Sequence, residues 1–205
     1  MARRLYLDPQ HPKDRIIRQA AEILREGGVI IYPTDTVYGL GCDITQKSAI
    51  DRIYQIKGMS KKQPLSFICP NLKEISKYAH VSNRAYKAMR HLLPGPYTFV
   101  LEATHFVPKK LLGGKKRTVG LRVPNHPVCL RLLELLGNPI ISTSVTGPEG
   151  AILSDPEEIV RYYGDKVDFI LDVGLLTSEP STVVDFIEDE PVILREGKGD
   201  VSFFR

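Results

Sequence analysis

Six short segments of the chain gather hydroxyls and cationic side chains beside glycine and proline. The first, Tyr32-Pro33-Thr34-Asp35-Thr36-Val37-Tyr38-Gly39-Leu40-Gly41, follows an apolar run. Pro33 fixes φ there, and the glycines permit tight turns and close backbone approach. It reads either as a strand-exit turn with capping hydroxyls or as a substrate loop. The second, Lys57-Gly58-Met59-Ser60-Lys61-Lys62-Gln63-Pro64, carries three ammonium groups. They suit phosphates as point charges, or simply form a solvated basic loop. The third, Thr118-Val119-Gly120-Leu121-Arg122-Val123-Pro124, sets a guanidinium in an otherwise apolar strand. Arg122 there needs a planar anion, either a substrate carboxylate or a structural ion pair. The fourth, Ser142-Thr143-Ser144-Val145-Thr146-Gly147, is a hydroxyl-rich run that could orient phosphate oxygens or form a plain turn. Pro180-Ser181-Thr182-Val183-Val184-Asp185 is the fifth. The sixth, Leu194-Arg195-Glu196-Gly197-Lys198-Gly199, puts Arg195 at a strand end, where it could meet an anion.

None of these matches a Walker A loop, G-x-G-x-x-G, G-x-S-x-G or H-E-x-x-H. No Cys–His or Ser–His pair stands out, and no catalytic residue is assigned. The residue types point to an anionic ligand bound by positioned charge and hydroxyls.

The elements that must position these groups alternate along the chain. Apolar side chains at Ile16, Ile17, Ala20, Ala21, Ile23 and Leu24 predict a helix over residues 13–26, ended by Gly27-Gly28. Ala49, Ile53 and Ile56 line a second helix. Ser82 caps a third that Pro94-Gly95-Pro96 stops. Val128 to Leu136 reads as helical, and Asp155-Pro156-Glu157-Glu158 opens a later helix. Strands are predicted at residues 29–32, 65–69, 97–101, 118–123, 140–144, 169–171, 182–186 and 192–194. This interleaving is an α/β pattern with a strand-rich last third, and ligands in open α/β sheets collect at strand ends.

Composition sets the bounds. The 205 residues suit one domain over 1–205, with 42% hydrophobic and 25% charged side chains, as in ordinary globular chains. The net charge of +4 permits an anionic ligand or RNA without demanding one. Apolar runs such as Val29-Ile30-Ile31 fall far short of the ~20 residues that span a bilayer. The start of the chain carries no apolar segment behind its arginines, so no secretory signal or membrane association is expected. Cys42, Cys69 and Cys129 are far apart, and the five His lack metal-ligand spacing. A disulfide framework and a protein-held metal are not expected, and reduced thiols suggest the cytoplasm.

Taken together and in order, the six segments resemble the YrdC/YciO family, which includes the threonylcarbamoyl-AMP synthases of tRNA modification. The most specific parts are Tyr32 to Gly41, Pro94-Gly95-Pro96-Tyr97-Thr98, Gly120 to Pro124, Ser142-Thr143-Ser144 and Leu194-Arg195-Glu196-Gly197. Tyr97-Thr98-Phe99, Ser142-Thr143-Ser144 and Arg195-Glu196-Gly197 look closest to the YciO branch. The resemblance implies a single twisted, open mixed α/β sheet with flanking helices and a positively charged concave face. It implies a nucleotidyltransferase that joins L-threonine, bicarbonate and ATP, with Mg²⁺ on the nucleotide, into threonylcarbamoyl-AMP and pyrophosphate. A partner enzyme then passes the carbamoyl-threonine to adenosine 37 of tRNA. The alternative it implies is a protein binding double-stranded RNA, tRNA or rRNA without robust synthase activity.

Carried over by position, Thr34, Arg122 and Ser181 would contact threonine. Lys57, Thr118, Ser142, Ser144 and Arg195 would contact ATP. The chain also departs from the synthases. Their Lys-x-Arg is here Lys57-Gly58-Met59, and their Ser-x-Asn is Ser144-Val145-Thr146. Ile68 stands where many have His. Each lost charged hydrogen bond is worth about 1.5–3 kcal/mol, so a weaker synthase is expected, with Lys61 or Lys62 as substitutes for the missing Arg. For RNA, Lys109, Lys110, Lys115, Lys116 and Arg117 would form a basic rim, or else a solvated loop.

Overall fold

The computed structural model describes residues 2–61, 63–112, 117–188 and 190–204. The chain opens with β1 (Arg3–Tyr6) and α1 (Asp14–Arg25), then β2 (Ile30–Tyr32), β3 (Gly39–Asp43) and α2 (Lys47–Lys57). There follow β4 (Ser66–Ile68), α3 (Leu72–Tyr78), α4 (Asn83–Leu92), β5 (Tyr97–Glu102) and β6 (Thr118–Arg122). The last part holds α5 (Pro127–Leu136), β7 (Ile140–Ser144), α6 (Pro156–Tyr163), β8 (Phe169–Asp172), β9 (Thr182–Asp185) and β10 (Val192–Arg195).

Local chemistry accounts for the helix ends. Ser82 Oγ accepts from Ala85 N at 3.1 Å and Asp155 Oδ1 from Glu157 N at 2.9 Å, each satisfying an orphan donor of a first turn. Gly27 at φ 87° and Gly137 at φ 79° follow the last residues of α1 and α5. Side chains other than glycine strain at such angles. Three elements were not foreseen from sequence: β1, β3 and α3.

Among the described residues, ten strands join one mixed sheet in the order β1-β8-β2-β3-β7-β4-β6-β5-β9-β10. The pairs β1–β8, β8–β2, β4–β6 and β5–β9 are parallel and the rest antiparallel. Because side chains alternate between faces, β2, β7 and β8 feed two separate cores. Ile30 and Tyr32 of β2, Ile140 of β7, and Phe169 and Leu171 of β8 pack with the buried faces of α1 and α5. Their neighbours Ile31, Ile141 and Ile170 join the opposite core with α2, α4 and α6. Burying one such aliphatic side chain contributes roughly 1.5–3 kcal/mol.

On the α1 and α5 face the helical cover packs on β8, β2 and the start of β7. Further along that face, alternate residues of β4, β6, β5 and β9 line a hollow instead. This half-covered face positions the candidate site. The three cysteines are free and buried, Cys42 and Cys69 in one core and Cys129 in the other. Burial pushes the Cys42 thiol up to about 12 and the other two upward as well. Among the described residues, no helix is long and apolar enough to cross a membrane.

Candidate functional site

The hollow is a cavity of about 620 Å³. Its floor follows from strand register. Ser142 stands opposite Gly41 and Ser66, Ser66 opposite Gly120, Gly120 opposite Val100, and Val100 opposite Asp185. Period-two alternation therefore places serines at one end of a row, a bare glycine and valine in the middle, and a carboxylate at the other end. Of the expected residues, Thr34, Thr118, Arg122, Ser142, Ser144, Ser181 and Arg195 all line this cavity, and Lys57 does not.

Arg122 closes β6 with its side chain 9% exposed. Its Nη2 donates to Asp35 Oδ1 and to Thr36 Oγ1, both at 3.0 Å. The other Asp35 oxygen accepts from Asn125 N at 3.0 Å. Of the two sequence readings, a structural pair therefore exists. The pair still leaves Arg122 Nε buried with no partner among the described residues. His126 lies beside this pair, and burial holds its imidazole below the ordinary value while the Asp35 charge opposes the shift.

The Asp35 loop is fastened from other directions too. Thr34 Oγ1 donates to Val37 O at 2.6 Å and accepts from the Thr36 and Val37 amides, both at 3.2 Å. Lys198 Nζ reaches Asp35 O at 2.6 Å, and Thr177 Oγ1 reaches Thr36 O at 2.7 Å. Below the loop, Tyr32 Oη donates to Ser142 Oγ at 2.7 Å. The tyrosine ring lies so close over β3 that a Cβ at Gly39 would sit 2.8 Å from its Cζ, and one at Gly41 2.9 Å from Cε1.

Arg195 donates from Nε and Nη2 to Ser181 O at 3.0 and 2.8 Å, and from Nη2 to Ser181 Oγ at 3.2 Å. Ser181 Oγ in turn meets Thr98 Oγ1 at 2.8 Å. Burial lowers the Arg195 pKa, and the positive charge of Arg122 lowers it further. Two guanidinium groups that oppose each other's charge across one cavity favour an anion between them. Thr98, Ser66 and Asp185 also line it and were not singled out as site residues from sequence. Their own segments do not mark them; the cross-strand register sets them on the cavity floor.

Lys57, at the end of α2, turns to the exit of β7, where its ammonium contacts Ser144 O, Thr146 Oγ1 and Tyr163 Oη. Lys61 pairs with Asp51 at 3.2 Å, and Lys62 lies outside the described residues. Lys110 of the expected RNA rim also bonds Asp51 at 3.2 Å and the Lys47 carbonyl at 3.0 Å. Lys115 and Lys116 lie outside the described residues. Among the described residues, no group of three or more His, Cys, Asp or Glu could hold a metal ion.

An open mixed sheet whose half-covered face holds two arginines among hydroxyls defines an α/β protein with a candidate site for a small anion. The chain belongs to the Sua5/YciO/YrdC family, whose model, described as "Telomere recombination", matches residues 22–197. It is 44% identical over 205 residues to an uncharacterized Escherichia coli protein named YciO, covering all of both chains. A crystal structure of E. coli YciO superimposes with a TM-score of 0.95 over all of both chains. A threonylcarbamoyl-AMP synthase of Pyrococcus abyssi is 33% identical over 183 residues, 88% of this chain and 54% of the relative. The crystal structure of P. abyssi Sua5 complexed with L-threonine has a TM-score of 0.87 and 30% identity, covering 96% of this chain and 57% of the other. This chain thus spans little more than half the length of those two archaeal chains.

Proposed function

We propose that this chain is a nucleotidyltransferase of the threonylcarbamoyl-AMP synthase type. The observation that carries the reading is the convergence of Arg122 and Arg195 with Thr34, Ser142, Ser144 and Ser181 on one cavity. The similarity to a structure complexed with L-threonine supports it. In this reading the threonine amine takes up CO₂ from bicarbonate and loses a proton, giving a carbamate. A carbamate oxygen then attacks the α-phosphorus of ATP, and pyrophosphate leaves with the bond electrons. Both reactants are anionic, so fixed positive charge lowers the barrier and positioning supplies much of the rest. Arg122 holds the threonine carboxylate, with its free Nε and the tethered Asp35 loop setting its angle. Thr34 and Ser181 border the amino acid. Arg195, Thr118, Ser142 and Ser144 face the nucleotide, and Mg²⁺ enters with ATP as part of the substrate. The product is an activated carbamate, suited to a partner enzyme that acylates an adenosine amine in tRNA.

The test is pyrophosphate release from ATP by purified protein. Release that requires both L-threonine and bicarbonate, and that falls at least tenfold in Arg122→Ala, is expected. No release above the protein-free rate, or an Arg122→Ala protein as active as the parent, would refute the reading.

A further inference from the structure

The hydroxyls around the cavity differ in the hydrogens they have left for a ligand. Thr34 has none, since it donates to Val37 O and accepts from two backbone amides. Ser181 and Thr98 share one bond at 2.8 Å, and Ser181 also accepts from Arg195. Two hydroxyls carry two protons, so this pair spends one between its members and keeps one O–H for an anionic oxygen beside Arg195.

Ser142 has the opposite polarity. It is 4% exposed and lines the cavity. The fully buried Tyr32 donates from Oη to Ser142 Oγ at 2.7 Å. Among the described residues the phenol has no other partner, and reversing the bond would strand its proton in the core. Burial pushes the tyrosine pKa up, which keeps the phenol a donor. The Ser142 proton in turn points to Leu40 O at 3.3 Å. A hydroxyl has one proton and two acceptor lone pairs. With the proton turned into the sheet and one lone pair taken by Tyr32, Ser142 offers the cavity a single lone pair. That lone pair attracts an N–H and repels a phosphate or carboxylate oxygen. Gly39 leaves room for the arrangement, because a Cβ there would sit 2.9 Å from both Ser142 Oγ and Tyr32 Oη.

The reaction supplies one such N–H. A primary amine that takes up CO₂ and loses a proton becomes a carbamate with one hydrogen left on nitrogen. A secondary amine gives a carbamate with none. We propose, within the adenylate-forming reading above, that Ser142 is a specificity-determining residue that accepts the carbamate N–H, and that Tyr32 is a positioning residue that fixes the serine as an acceptor. The substrate class is then the primary amino acids, and N-alkyl amino acids are rejected at the step that joins carbamate to nucleotide.

Pyrophosphate release from ATP with bicarbonate and either L-threonine or N-methyl-L-threonine tests this in the parent, Ser142→Ala and Tyr32→Phe. The parent favours L-threonine by about tenfold or more in kcat/KM. In Ser142→Ala that ratio narrows by about fivefold, the size of one hydrogen bond, through loss on L-threonine, while KM for ATP stays within about twofold. Tyr32→Phe narrows the ratio in the same sense with the serine still in place. An unchanged ratio in either variant overturns the proposal. So does a gain confined to N-methyl-L-threonine, which is relief of crowding, or a rise in KM for ATP alone, which gives the lone pair to the nucleotide. Ser142→Ala strands the Tyr32 hydroxyl; if it does not fold, the double variant Tyr32→Phe/Ser142→Ala, which removes both partners, decides in its place. A parent equally active on both amines overturns the Ser142 assignment and leaves the adenylate reading standing. A parent that releases no pyrophosphate with L-threonine sinks both.

Discussion

Asp35 and Arg122 lie 87 positions apart in the chain and meet at 3.0 Å, with side chains only 10% and 9% exposed. The acid belongs to the loop between β2 and β3 and the arginine to the end of β6, so the pair ties the wall of the cavity to its floor. Removing one member of a buried ion pair strands the other charge, at a cost of about 3–5 kcal/mol. Asp35→Ala is expected to lose about 3 kcal/mol in urea unfolding. A loss under about 0.5 kcal/mol would mean that the guanidinium finds water or another partner.

Arg122 should also separate charge from geometry. A lysine retains the positive charge but lacks the planar fork that meets a carboxylate through two donors. Arg122→Lys is expected to bind L-threonine about tenfold more weakly than the parent in calorimetric titration. Parent-like affinity would show that charge alone suffices.

The contact of Tyr32 with β3 predicts an unforgiving pair of glycines. A methyl at Gly41 would sit 2.5 Å from Ile140 Cγ2 and 2.9 Å from the Tyr32 ring. Gly41→Ala should cost about 1–3 kcal/mol by overpacking. Tyr32→Phe, which deletes the 2.7 Å hydrogen bond to Ser142, should cost about 1 kcal/mol. Chemical denaturation measures both, and a Gly41→Ala loss under about 0.5 kcal/mol would contradict the crowding seen at β3.

His126 gives the protein a signature in acid. Burial keeps its folded-state pKa below the ordinary value. The unfolded chain takes up its proton near pH 6.5, before the folded chain does. As pH falls through about 6.5 the unfolded state binds more protons, and stability drops. The melting temperature of the parent should therefore fall between pH 7.5 and 5.5 more steeply than that of His126→Leu. Parallel curves would assign the acid sensitivity to other groups.

Much of this architecture was readable from sequence where the physics is local. The apolar stripe of α1, the Ser82 and Asp155 caps and the glycines after α1 and α5 each state their role in a few residues. The missed elements depend on distant partners. Gly39-Leu40-Gly41 reads as a loop because glycine weakens strands, yet β3 needs glycine to admit the Tyr32 ring. Arg3-Arg4-Leu5-Tyr6 lacks an apolar pattern, and β1 is held at the sheet edge by β8 and by Arg4 bonding Asp172 at 2.7 Å. The seven residues of α3 are too few for a period to show.

The site was legible in the same uneven way. Arg122 and Arg195 stand out as charges at strand ends. Ser66, Thr98 and Asp185 look ordinary in their own segments, and only strand register sets them on the cavity floor. Lys57 was legible as a basic residue at a helix end. The direction of its ammonium depends on Thr146 and Tyr163, which lie far along the chain.

The three buried thiols give the molecule a built-in reporter. Cys42 and Cys69 watch one side of the sheet and Cys129 the other, each silent toward an alkylating reagent while its layer stays closed. Modification at each position counts how often that layer opens to solvent. Mass-resolved labelling of the unmodified chain can thus tell whether the layer of α1 and α5, which shares its face with the cavity, breathes independently of the layer behind it.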